Sequence, residues 1–358
     1  MAGRVLNFAS DNVVGASDKV LQAIVSANGG ALASYGADTI TKRVEHRLNA
    51  LFERDCQTFL VTTGTAANAL AIACLSPPHG AVLCHEEAHS IDDECGAPEF
   101  FMGGGKLVGI AGAGAKLTRK AILDHLAAEP GGTRHPPIRG LSISQATECG
   151  TVYSLAEIAE VSRAAHDNGM HVHMDGARFA NALLHLGCAP AEMTWKAGID
   201  ILSFGGTKNG CLMAEAVVFF NPALAEDFAF KRKRAGQTVS KGRLLAAQFD
   251  AYLGDDHWLD LARHANAMAD RLAGGLTAIP GLRLAWPTDA NEVFCIMPEA
   301  LYESLKARDV VFYDWTDKSL PRDNRLKKGE VVTRLICSFA TAQKDVDALL
   351  RLARTLAG

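Results

Sequence analysis

The chain predicts an α/β architecture, a large mostly parallel sheet followed by a smaller α+β unit. Three observations carry this. Short apolar runs alternate with helical stretches from residue 57 to residue 220, the rhythm of strands joined by crossover helices. Two long helical stretches, 243–253 and 257–278, then interrupt it. Beyond them, apolar runs and helices recur at closer spacing, the signature of a second and smaller sheet.

Taken in order, the expected strands of the large sheet are TFLV, AVLC, KLVGI, IRGLSIS, HVHMDG, DILSFGG and EAVVFF. They are separated by helices, of which TAANALAIACL and residues 154–168 are the clearest. The second unit is expected to hold strands at 282–286, 292–297, 310–315 and 332–339. Helices at 299–307 and 343–356 complete it. We place the division at 253/254, giving a large unit of residues 1–253 that includes the N-terminal segment and a small unit of residues 254–358. No internal repeat or low-complexity tract breaks this pattern.

Composition narrows the function classes. With 358 residues, 48% of them hydrophobic and 21% charged, the chain can bury a substantial core. A formal net charge of −4 gives no electrostatic reason to bind a phosphate backbone, and the one basic cluster, Lys231 to Arg234, is short. Nucleic acid is therefore not an expected partner, and no apolar run reaches the roughly 20 residues that span a bilayer. The nine cysteines are scattered without a C-x-x-C pair, which reads as free buried thiols in a cytoplasmic protein. His85 with His89, and His171 with His173, have ligand-like spacings. Neither pair has a carboxylate or cysteine that completes a metal shell, so no metal is expected.

Three segments carry chemistry. In VTTGTAAN a strand runs through Thr62 and Thr63 into Gly64 and Thr65, where a helix begins. Free N–H groups and the helix dipole make such a corner an anion cradle, although the same residues also serve as an ordinary cap. In HVHMDGAR a strand ends at Asp175, the edge at which open α/β sheets bind ligands. In DILSFGGTK a further strand delivers Thr207 and Lys208 to the same edge. Pyridoxal phosphate needs all three: an anion cradle, a carboxylate that keeps its pyridine nitrogen protonated, and a lysine amine to bind its aldehyde.

With these segments in place, the sequence resembles the threonine aldolase family of fold-type I pyridoxal-phosphate enzymes over nearly its whole length. The matching stretches are FASDN, SYGAD, TTGTAAN, EEAHSIDDECG, DGARFANA, TKNG and RLICSF, in that order. The resemblance implies that Lys208 is the Schiff-base lysine and Asp175 the partner of the ring nitrogen. Gly64 and Thr65 would hold the phosphate, with Thr207 and Arg178 beside the cofactor. His89 would stack on the ring near the substrate side chain. Ser10, Arg178 and Arg334 would hold the substrate carboxylate, and Tyr35 would reach in at or near a subunit interface. A homo-oligomer follows, a tetramer with a dimer as the smallest active unit. The implied reaction cleaves an L-β-hydroxy-α-amino acid of threonine, allo-threonine or phenylserine type to glycine and an aldehyde.

Two departures from the family pattern matter. Where the family commonly has histidine in N-T-H-N-G, this chain reads ATECG and places Glu148, so the base for the β-hydroxyl is His89, Glu148 or water. Where an arginine commonly helps with phosphate, Ser240 aligns, and Lys233, Lys241 and Arg243 are the neighbours able to supply charge. β-Elimination or racemisation on the same cofactor is the enzymatic alternative. A binding protein of the same fold without turnover is the other.

Overall fold

The computed structural model describes residues 5–129 and 131–357. Its strands in chain order are β1 (Leu6–Asn7), β2 (Gln57–Val61), β3 (Ala81–His85), β4 (Lys106–Ile110), β5 (Ile138–Ser144), β6 (His171–Gly176), β7 (Ile201–Gly205) and β8 (Glu215–Phe219). The smaller unit adds β9 (Arg283–Leu284), β10 (Glu292–Pro298), β11 (Val310–Val311), β12 (Tyr313–Asp314) and β13 (Glu330–Ile336). The large sheet runs β2-β8-β7-β6-β5-β3-β4. β8 is antiparallel to both its neighbours, and every other pair is parallel. β3, β7 and β8 are buried along their whole length, as expected of strands covered by helices on both faces.

Parallel strands linked by helices all point one way, so their C-terminal ends collect on one edge of the sheet. Register fixes the level: Ser144 of β5 pairs with Asp175 of β6, which pairs with Ser203 of β7. An aromatic cluster of Phe52, Phe179, Phe204, Phe249, Tyr252 and Trp258, each fully buried, packs behind this edge with ring centroids 5.0–6.4 Å apart. Each such side chain contributes about 1.5–3 kcal/mol of transfer free energy, so the edge rests on a stiff base.

The helix His257–Thr277 serves two cores. Trp258 and Ala262 at its start belong to the large core, while Ala269, Leu272, Ala273 and Leu276 pack into the smaller one. Gly275 is required at its crossing with the helix Gln343–Ala357, because a Cβ there would lie 2.2 Å from Leu350 Cδ1.

Three features depart from expectation. The N-terminal segment, grouped with the large unit, instead lays β1 parallel to β11 and buries Leu6 and Phe8 in the smaller core. Its apolar alternation is two residues long and names no partner strand, so only packing decides. The run 310–315 is split in two, because Phe312 turns into the smaller core while β11 pairs with β1 and β12 with β13. The run 282–286 supplies only the two residues of β9.

Candidate functional site

A cavity of about 560 Å³ opens where the C-terminal ends of β2, β5, β6 and β7 meet the start of β10 and the middle of β13. Lys208, Asp175, His89 and Glu148 line it, as do Gly64, Thr65, Thr207, Ser10, Arg178 and Arg334. Tyr35 does not.

The anion cradle forms because β2 ends in a capping threonine. Thr63 Oγ1 accepts the Ala66 N–H at 3.1 Å, and the Thr63 carbonyl accepts that of Ala67. The cap takes the Ala66 N–H, and those of Gly64 and Thr65 at the helix start remain for an anion. A Cβ at Gly64 would meet no atom within 4 Å, so the approach is clear. Thr62 is held from the side, its N–H and hydroxyl both donating to Gln237 Oε1.

Asp175 is buried, with one oxygen accepting the Ala177 N–H at 2.9 Å and the other accepting Asn68 Nδ2 at 2.7 Å. Asn68 is the one buried polar residue of the helix Gly64–Ile72. It also donates to Glu94 Oε1 at 2.9 Å, which in turn holds His89 Nδ1 at 2.8 Å. One chain of hydrogen bonds thus joins His89, Glu94, Asn68 and Asp175. The hydrogen bond to Glu94 lifts the His89 imidazole above its ordinary value, and burial lifts the Glu94 carboxyl in the same direction. Both shifts favour keeping a proton on this hydrogen-bonded pair.

Lys208 sits in the turn Thr207–Asn209 that follows β7. Asn209 anchors this turn through Tyr252 Oη and the Trp258 carbonyl, both at 2.8 Å. On the other side, Glu215 accepts the Gly206 N–H at 2.7 Å. Burial pushes the Glu215 carboxyl up to about 7. Gly205 is needed for the approach: a Cβ there would lie 2.4 Å from the Ala177 carbonyl, in the turn that carries Asp175. That contact brings the lysine turn against the aspartate turn.

Glu148 is half-buried on the cavity wall. Its Oε1 accepts the His89 backbone N–H at 2.9 Å and the Ser144 hydroxyl at 2.7 Å, while its Oε2 is buried with no partner. Desolvation pushes the carboxyl up to about 7.

The two arginines have different surroundings. Arg178 donates from Nε and Nη2 to Asp11 at 2.9 and 3.2 Å, and its Nη2 also lies 3.2 Å from Glu292 Oε1. Arg334 has no carboxylate within 4.0 Å among the described residues; its guanidinium stacks on Trp315, and its Nε is buried without an acceptor. Ser10 uses its hydroxyl oxygen to accept the Asn12 N–H at 3.1 Å.

Tyr35 is 55% exposed and holds a left-handed φ of 59°. Lys233 Nζ lies 5.2 Å from its ring centroid, and its N–H donates to the Ser240 carbonyl. Arg243 is spent on the carbonyls of Asn28 and Gly30. None of Lys233, Ser240, Lys241 and Arg243 lines this cavity. Two of the histidines weighed as metal ligands, His85 and His173, are otherwise engaged. Both ring nitrogens of His85 are hydrogen-bonded, to Gly112 and Glu87, and those of His173 to Ser142 and Ser203.

Sequence reasoning missed Asn68, Glu94, Asp11, Glu292 and Trp315. Asn68 left a signal, a lone amide in an alanine-rich helix; Asp11 and Glu94 lie inside the matching stretches FASDN and EEAHSIDDECG without a mark of what they touch, and Glu292 and Trp315 left no signal, because distant segments bring them in. The donor set fits pyridoxal phosphate: an amine, a buried carboxylate with both oxygens held, and a helix start with two free N–H groups share one cavity.

Comparison with known proteins agrees with this geometry. The profile of the family described as β-eliminating lyase matches residues 7–300. The chain is 43% identical over 356 residues to the low specificity L-threonine aldolase of Pseudomonas aeruginosa, covering 99% of this chain and 98% of that one. It is 26% identical to the low specificity L-threonine aldolase of Saccharomyces cerevisiae, over 80% of this chain and 72% of the relative. The solved threonine aldolase of Leishmania major superposes with a TM-score of 0.90 at 29% identity, covering 98% of this chain and 99% of that structure.

Proposed function

Because the chain belongs to the β-eliminating lyase family and, within it, to the low specificity L-threonine aldolases, we propose that it cleaves L-β-hydroxy-α-amino acids to glycine and an aldehyde. It is a pyridoxal-phosphate enzyme of fold type I, a carbon–carbon lyase. The observation that carries the reading is the convergence of Lys208, Asp175 and the Gly64–Thr65 helix start on one cavity.

The cofactor supplies an electron sink for the pair left at Cα when the Cα–Cβ bond breaks. The chain's own residues do the rest. Lys208 would hold the cofactor covalently through Nζ. Asp175 would keep the ring nitrogen protonated, and Gly64 and Thr65 would bind the phosphate, with Thr207 and Arg178 beside the cofactor. His89, fixed by Glu94, would lie against the ring. Arg334, with Arg178 and Ser10 beside it, would hold the substrate carboxylate so that the Cα–Cβ bond stands across the ring plane.

Glu148 is our choice for the base. His89 has its Nδ1 engaged by Glu94, whereas Glu148 lines the cavity with one oxygen, Oε2, that has no partner among the described residues and with its carboxyl pushed up to about 7. Oε2 takes the β-hydroxyl proton as that oxygen becomes the aldehyde carbonyl. Since the base works only when ionised, kcat/KM is expected to rise tenfold per pH unit up to about 7 and then level. In Glu148→Gln that limb is expected to vanish and the rate to fall about 10²-fold; a limb that survives assigns the proton to His89 or water.

Exposure of Tyr35 beside Lys233 supports its action on the cavity of a partner subunit, where Lys233 would supply the phosphate charge that Ser240 lacks. Nine unpaired cysteines suit a cytoplasmic enzyme. A division into units of 1–253 and 254–358, with β1 crossing into the second, suits the two cores.

The test is product analysis on threonine, allo-threonine and phenylserine, with Glu148 arguing for phenylserine as the better substrate. Glycine and an aldehyde are expected, from a preparation that sediments as a dimer or tetramer. Pyruvate and ammonia would instead mark an eliminating lyase, and a monomer with full activity would remove Tyr35 from the site.

A further inference from the structure

Two residues that line the cavity each carry a buried N–H donor with no acceptor among the described residues: Arg334 at Nε and Trp315 at Nε1. Leaving such groups unpaired is costly, so each calls for a partner. Both residues belong to one rigid stack. β12 and β13 pair Tyr313 with Arg334, and the Trp315 N–H donates to the Val332 carbonyl at 2.8 Å. The guanidinium of Arg334 lies 4.3 Å from the Trp315 ring centroid and 5.7 Å from that of Tyr313. Phe294 backs the indole at 5.8 Å.

The chain beyond Trp315 is pinned at Ser319. The Ser319 hydroxyl donates to Glu87, and the Ser319 carbonyl accepts the Gly114 N–H and Trp286 Nε1, each at 3.1 Å. Trp315 is therefore held in place before any substrate arrives. Arg178, by contrast, already faces Asp11 and Glu292, which offset its charge. The attraction for an incoming anion falls on Arg334 and on what stands beside it.

Resting on the aldolase reading above, we propose that Trp315 is a direct ligand of the substrate's α-carboxylate, its indole N–H and the Arg334 guanidinium together forming the receptor. A carboxylate offers lone pairs enough for both donors, and the indole face that stacks on Arg334 keeps the fork aimed. Trp315 touches the group common to every α-amino acid, so its role is independent of the side chain that leaves as aldehyde.

Trp315→Phe keeps a stacking ring and deletes only the N–H. In the holoenzyme, the dissociation constant for glycine, read from the cofactor's visible spectrum, is expected to rise about tenfold. That for methylamine, which has the amine but no carboxylate, is expected to stay unchanged. KM for the cleaved substrate should follow glycine, with kcat altered less than about twofold, since the contact is made before and during cleavage alike. Equal glycine affinity in variant and wild type would overturn the proposal, as would equal weakening of glycine and methylamine. Should the variant not fold, a crystal structure of the wild-type holoenzyme with glycine decides: a carboxylate oxygen within about 3.2 Å of Nε1 is expected, and a distance beyond about 4 Å overturns it. A wild type that binds glycine tightly but releases no aldehyde would remove the aldolase reading and leave the receptor standing. One that binds no α-amino acid would remove both.

Discussion

Lys208→Ala is expected to lower aldehyde release from every β-hydroxy amino acid by about 10³-fold or more and to leave the purified protein without the visible absorbance of a covalently held cofactor. Among the described residues of one subunit no other lysine lines the cavity. Lys233 and Lys241 belong to the exposed cluster around Tyr35 and do not line it. Removing the Lys208 side chain leaves the fold untouched, because the turn that carries it is anchored by its neighbours Gly206 and Asn209. Thermal unfolding of the cofactor-free variant should therefore match that of the cofactor-free wild type. A variant that kept full aldehyde release with an intact fold would show that the amine at this position takes no part in the chemistry, and the functional reading would fall with it.

How much of this was legible in the sequence follows from the range of the interactions involved. The strand and helix alternation is a local pattern, and it placed Asp175, Lys208 and Gly64–Thr65 at strand ends, hence on one edge, before any coordinates. What each of those residues touches is set by packing. Arg178 meets Asp11, 167 positions away, and a pattern of apolar residues contains no information about that pairing. Glu292 enters from a strand of the other sheet for the same reason. The choice between His89 and Glu148 also lay beyond the sequence, because it turns on Glu94 holding the imidazole and on the burial of one carboxylate oxygen. Tyr35 was singled out by resemblance. Within one subunit it stands outside the cavity, and its use needs a second chain.

Asp175→Asn is expected to lower kcat by about 10²- to 10³-fold while the cofactor stays covalently attached, the opposite pairing of symptoms to Lys208→Ala. A carboxylate against the pyridine nitrogen favours the protonated ring, and only that form draws electron density from Cα strongly enough for the carbon–carbon bond to break. An amide is neutral and gives up this preference. It also fits its surroundings badly. Both oxygens of Asp175 accept hydrogen bonds, from Ala177 and from Asn68, so an asparagine must turn its NH2 toward one of two donors. The lost bond and the opposed hydrogens would destabilise the fold by about 1–3 kcal/mol. They would also release Asn68 from one of its two carboxylates, loosening the link to Glu94 and His89. The visible absorbance should therefore persist with a shifted maximum, since Lys208 is intact and the ring's protonation is altered. An enzyme with this substitution that turned over at the wild-type rate would mean that the ring nitrogen finds its proton elsewhere, and the hydrogen-bond chain from Asp175 to His89 would then have no part in catalysis.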